Sequence, residues 1–116
     1  QEEEKEIPFM ELRANADLSQ GKKVFGKCKA CHKLGDGENG TGPHLYNIID
    51  REMAVISDFK YSSSFKALNG NWTYDELNQF LTKPSNYVKG TAMNFAGLGK
   101  ISDRANLIAY LEDSTK

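Results

Sequence analysis

The sequence predicts an all-α domain in which a few short helices are joined by long, glycine-rich loops. Three observations carry this. Apolar residues recur at three- and four-residue spacings in separate segments, no stretch alternates apolar and polar residues as a strand would, and glycine, proline and serine gather between the helical segments. The 116 residues fit one domain, and 39% hydrophobic with 27% charged residues is the composition of a globular protein. Fifteen basic and 16 acidic residues leave a net charge of −1. That balance lacks the basic excess of a nucleic-acid-binding chain.

Taken in order, residues 1–16 are acidic and carry few large apolar side chains, with Pro8 against any early helix. They are expected to form a flexible acidic leader or linker, with the domain occupying 17–116. No apolar run reaches the roughly 18 residues that span a bilayer, and no signal-peptide core precedes the domain. The chain as it stands is therefore expected to be soluble, with an earlier leader or membrane anchor left open.

"DLSQGKKVFGKCKACHK" reads as a helix capped by Asp17, with Gly21, Phe25 and Cys28 on one face. A glycine on an inward face invites close approach by a second helix. "LGDGENGTGPHL" is too rich in glycine for helix or strand and is read as a loop. "SSSFKALNG" is a short helix ended by Gly70. "TYDELNQFLTKP" opens on a Thr73 and Glu76 capping box, repeats Leu77, Phe80 and Leu81, and stops at Pro84. "SDRANLIAYLEDS" gives a final helix with Leu107, Tyr110 and Leu111 on one face. Loops this long in so small a domain are uncommon unless they wrap something functional. A domain of this size also gains much from a cofactor that adds apolar surface to its core.

Cys28-Lys29-Ala30-Cys31-His32 names a candidate for that group. The C-x-x-C-H pattern is that of covalent c-type haem attachment. Thiols three residues apart lie about one turn apart on one face, so each can form a thioether with one haem vinyl group. The adjacent imidazole can then turn beneath the macrocycle and bind iron. Alternatives fit less well. A thioredoxin-like dithiol needs a βαβ setting, and a structural zinc needs further ligand pairs beyond the one remaining histidine, His44. A disulfide between Cys28 and Cys31 closes too short a loop to stabilise much and leaves His32 unexplained. For the second axial ligand the candidates are Met10, Met53, Met93 and His44. Met93 lies in an irregular segment far enough along the chain to reach the opposite haem face, whereas His44, beside Pro43, is expected at the surface.

The blocks "GKKVFGKCKACH", "TGPHLYNII", "FKYSSSF", Trp72, "LTKPSNYVKGTAMNFAGL" and "RANLIAYL", in this order, resemble class I cytochromes c of the mitochondrial and alphaproteobacterial kind. The resemblance covers 17–111. It implies that the first and last helices cross, with Gly21 and Phe25 meeting Leu107 and Tyr110, around one haem c attached through Cys28 and Cys31. It implies iron held by His32 Nε2 and Met93 sulfur, with the Pro43 carbonyl orienting His32. Arg51, Tyr61 and Trp72 match positions that hydrogen-bond the haem propionates, Thr91 lies beside them, and Phe95 shields the exposed edge.

The function implied is that of a monomeric one-electron carrier with no catalytic residues. Its partners would be quinol–cytochrome c reductase and a terminal oxidase or photosynthetic reaction centre, in the bacterial periplasm or the mitochondrial intermembrane space. Two residues rather than three separate Phe25 from Cys28, which favours the bacterial setting. Lys27, Lys29, Lys33 and Lys89, with Lys100, would meet an acidic partner. Three departures stand out. Phe80 replaces a tyrosine that hydrogen-bonds the methionine, Phe65 replaces a polar residue, and Ser85, Asn86 and Ala92 thin the ring of lysines. The first keeps a second function class open: a haem peroxidase or ligand sensor in which Met93 leaves the iron.

Overall fold

A computed structural model describes residues 9–56, 59–89, 93 and 95–115. Its elements are helices α1 (Phe9–Ala14), α2 (Leu18–Phe25), α3 (Ser63–Lys66), α4 (Tyr74–Thr82), α5 (Pro84–Tyr87) and α6 (Ile101–Thr115). Among the described residues there is no strand, only an isolated antiparallel bridge between Glu52 and Asn71. The all-α expectation therefore holds.

Local chemistry accounts for the helix starts. Asp17 Oδ1 accepts the backbone N–H groups of Ser19 at 3.0 Å and Gln20 at 3.2 Å, with the Ser19 hydroxyl at 2.7 Å. These bonds favour the charged carboxylate and lower its pKa. Thr73 caps α4 by accepting from Glu76 N–H at 3.2 Å. The expected capping box is only half formed, because Glu76 accepts from the Tyr87 hydroxyl and Thr73 N–H goes to the Asn71 carbonyl. Pro84, read as a stop, opens the extra short helix α5, where its missing N–H is no loss.

Two expectations are corrected. The helix read from Asp17 through the cysteine motif ends at Phe25; residues 26–31 continue as tight turns. Part of the expected flexible leader is also folded, since 9–14 form α1, which packs on α6. Arg13 Nη1 lies 2.9 Å from Glu112 Oε1, and its guanidinium sits 4.2 Å from the centre of the Tyr74 ring. The Tyr74 hydroxyl in turn donates to Glu112. Composition argued for mobility, but these partners are far along the chain and cannot be read from residues 1–16 alone.

The broadest helix contact is α2 on α6. At Gly21 a Cβ would collide with the Asn106 carbonyl oxygen and lie 2.7 Å from Tyr110 Cβ, so only glycine lets the backbones come this close. One turn on, the Phe25 and Tyr110 rings meet at 5.8 Å between centroids. The crossing implied by the resemblance is thus present, with Asn106 added to the contact. Phe25, Leu107, Ile108 and Leu111 join Leu77, Phe80 and Leu81 of α4 in one core. The other members, Ile48, Met53, Trp72, Val88 and Leu98, come from loops. That share explains how so few helical residues enclose a site.

Candidate functional site

The cysteine motif leaves the end of α2 through successive one-turn hydrogen bonds. Cys28 N–H donates to Phe25 O at 2.8 Å, Cys31 N–H to Cys28 O at 3.1 Å, and His32 N–H to the same oxygen at 3.0 Å. Both thiols and the imidazole are therefore held within a single turn of chain. Cys28 is half-buried against the core and Cys31 is exposed, and neither is in a disulfide. Burial, then the neighbouring Cys31, pushes the Cys28 thiol pKa up. This is the opposite of an activated redox dithiol.

His32 is held from two sides. Its Nδ1 lies 2.8 Å from the Pro43 carbonyl oxygen, so this nitrogen donates and Nε2 keeps its lone pair. Burial, opposed by the Pro43 bond and reinforced by the Arg51 charge, lowers the imidazole pKa and favours the neutral form a metal requires. Gly42 lies against the ring: a Cβ there would run into Cε1 and stand 2.8 Å from Nδ1 and 2.9 Å from Nε2. Sequence reading did not single out Gly42; its place directly before Pro43 was the available signal.

Arg51 and Trp72 are brought together by backbone pairing. Trp72 N–H donates to Arg51 O, and Asp50 N–H to Trp72 O, both at 2.8 Å. Arg51 Nη1 donates to the Tyr46 carbonyl at 3.1 Å, but among the described residues its buried Nε has no partner. A buried, charged donor without an acceptor is costly, and an anionic carboxylate is the partner that would satisfy it. Tyr61 is buried, its hydroxyl accepting from Ile56 N–H at 3.2 Å, and its ring stacks on Phe65 at 5.6 Å. Phe65 and Trp72 both contact Phe80, at 6.1 and 5.1 Å between ring centroids. The aromatic wall therefore includes both phenylalanines that depart from the family pattern.

Met93 and Phe95 are half-buried and pack on the same core as Cys28. Met53 is buried within that core. Thr91, Ala92 and the side chain of Met10 lie outside the described residues. His44, expected at the surface, is instead buried, with Nε2 3.9 Å from Asp36 Oδ1 and an Nδ1 without a partner among the described residues. The loop folds inward there because His44 N–H donates to Asn39 Oδ1 and Leu45 N–H to Lys33 O. Lys27, Lys29, Lys33, Lys89 and Lys100 are all exposed.

Paired thiols on one turn, an oriented imidazole and a buried guanidinium nitrogen with no partner among the described residues fit a covalently bound haem with an anionic edge. Comparison with known families agrees: residues 18–115 match the family model described as cytochrome c.

The chain belongs to the cytochrome c family.

It is 47% identical over 107 residues to a cytochrome c homolog of Rickettsia bellii, covering 91% of this chain and 61% of that protein. It is 49% identical over 96 residues to the cytochrome c-type cyt cy of Rhodobacter capsulatus, covering 82% of this chain and 48% of that one. The chain thus spans about three fifths and one half of these relatives' lengths. Among solved structures, cytochrome cH from Methylobacterium extorquens superposes with a TM-score of 0.79 at 31% identity, covering 84% of this chain and 99% of that one. Membership establishes a class I cytochrome c fold carrying covalent haem c, for which Cys28 and Cys31 supply the thiols, and it supports an electron-carrier role. Helix α1 precedes the matched region.

Proposed function

We propose that this cytochrome c is a one-electron carrier whose iron is held by His32 Nε2 and Met93 sulfur. The observation that carries the reading is the 2.8 Å bond from His32 Nδ1 to Pro43 O, which aims the other nitrogen away from the loop. Met93 packs on the same core as Cys28, consistent with a ligand arriving from a different part of the chain. When bound, the haem supplies an iron that alternates between ferrous and ferric states. The protein's part is to orient the ring, exclude water with Phe65, Trp72 and Phe80, and offer Arg51 to a propionate together with Tyr61, Trp72 and Thr91. A soft thioether in an apolar pocket favours the ferrous state and raises the potential. With His32 and Met93 both holding the iron, no site on it would be open to a substrate.

The reading extends to partners. The chain would carry electrons from quinol–cytochrome c reductase to a terminal oxidase or photosynthetic reaction centre in the bacterial periplasm, as a monomer. Exposed Lys27, Lys29, Lys33 and Lys89 would meet acidic surfaces there through a small, transient interface. Among the described residues no helix is long and apolar enough to cross a membrane. The alternative, a peroxidase or ligand sensor with a labile Met93, has Phe80 in its favour, because a phenyl ring offers the thioether no hydrogen bond.

Visible spectroscopy of the ferric holoprotein separates the two. A carrier shows the red-edge band of thioether-bound iron at neutral pH, and Met93→Ala removes that band and lowers the potential. A high-spin spectrum in the unmodified protein would instead favour the sensor or peroxidase. An unchanged spectrum in Met93→Ala would reject Met93 as ligand.

A further inference from the structure

We propose that Arg104 is the positioning residue for the methionine arm, holding the segment after Met93 so that the thioether stays on the iron. The inference rests on the reading of Met93 as ligand. The segment 95–100 has no regular hydrogen bonding of its own. It is tied down at Leu98, five residues after Met93, by both backbone groups. Leu98 N–H donates to Leu81 O at 2.8 Å, and Leu98 O accepts from Arg104 Nη1 at 2.7 Å. Arg104 Nε donates at 2.6 Å to Asn78 Oδ1, so one buried guanidinium joins α6, α4 and the loop. Next to this point Gly97 takes φ +111°, and a Cβ there would strike Thr82 O and lie 2.9 Å from Thr82 C. The loop is thereby pressed against the end of α4 with no slack.

The physical consequence concerns the weakest bond in the site. A neutral thioether binds ferric iron weakly, so its residence depends on how little the chain can move when it lets go. Each residue released from its anchors adds up to about 3.5 Å of reach, and the bonds at Leu98 limit that release. The rigid fork of arginine spans Asn78 and Leu98 at once, whereas a lysine ammonium at the end of a flexible stem does not.

The test is titration of the ferric holoproteins with imidazole, which binds iron only when Met93 has left. Apparent affinity then reports the fraction of molecules with the arm released. Met93→Ala sets the upper limit. Arg104→Lys is expected to bind imidazole about tenfold more tightly than the unmodified protein, the scale set by losing a charged hydrogen bond. Gly97→Ala, which disturbs the same loop without touching the guanidinium, should shift in the same direction. Thr115→Val serves as the stability control, because it removes a buried 2.6 Å bond to Leu111 O within α6 and leaves the loop alone. Unchanged affinity in both Arg104→Lys and Gly97→Ala, with a gain in Met93→Ala, overturns the role of Arg104. An equal gain in Thr115→Val at a matched loss of melting temperature also overturns it. If Met93→Ala itself gains nothing, the ligand reading fails and this one falls with it.

Discussion

Gly42 matters through its lack of a side chain, beside the imidazole proposed to hold the iron. The His32 ring occupies the volume a Cβ would need, and Pro43, the next residue, supplies the oxygen that orients it. A methyl group at Gly42 must push either the ring or the Pro43 carbonyl. Gly42→Ala is therefore expected to lower the yield of holoprotein and weaken the iron–histidine bond, read as a fall in potential and an earlier loss of low-spin character on acidification. Normal yield and spectrum would show that the ring tolerates displacement. Among the described residues, the buried Nδ1 of His44 and Nε of Arg13 and Arg51 find no hydrogen-bond partner. For Arg51 a haem propionate is the acceptor proposed above; for His44 Nδ1 the described residues offer none.

Among the elements, the α2 and α6 crossing is the most demanding. Gly21 has backbone against it, and backbone yields less readily than a flexible side chain. Gly21→Ala should destabilise the fold by about 2 kcal/mol, within the usual range for overpacking, measured as a fall in denaturant midpoint. An unchanged midpoint would mean that the helices slide apart without loss. Helix α1 also packs on α6, tied to it and to α4 through Arg13, Glu112 and Tyr74. It extends the folded unit beyond the family boundary at residue 18.

At the scale of the molecule, the proposed steering would rest on exposed lysines in a chain of net charge −1. Direction therefore comes from where charges sit and not from their sum. Replacing Lys29 and Lys89 together by glutamate is expected to slow electron transfer to an acidic membrane complex about tenfold at low ionic strength. The difference should shrink at high salt, where screening shortens the reach of every charge. Stopped-flow kinetics over a salt series would measure it; equal slowing at all salt concentrations would place the effect in folding or potential instead.

By itself the sequence determined the helical class, the caps at Asp17 and Thr73, the helices before Pro84 and at the C-terminus, and haem attachment at Cys28 and Cys31. These rest on short-range spacing, and hydrogen bonds and side-chain faces a few residues apart are local properties of the chain. Met93 stood out as a candidate ligand only beside the C-x-x-C-H motif and through its place in an irregular segment far along the chain, since a lone methionine in a loop looks like any core residue. The tertiary structure decided where the first helix of the core ends, that 9–14 fold back on α6, that His44 is buried, and that Arg104 joins Leu98 to Asn78. Each of these depends on groups from separate segments meeting in space. Their energies arise from burial and pairing that exist only once the loops have closed around the core.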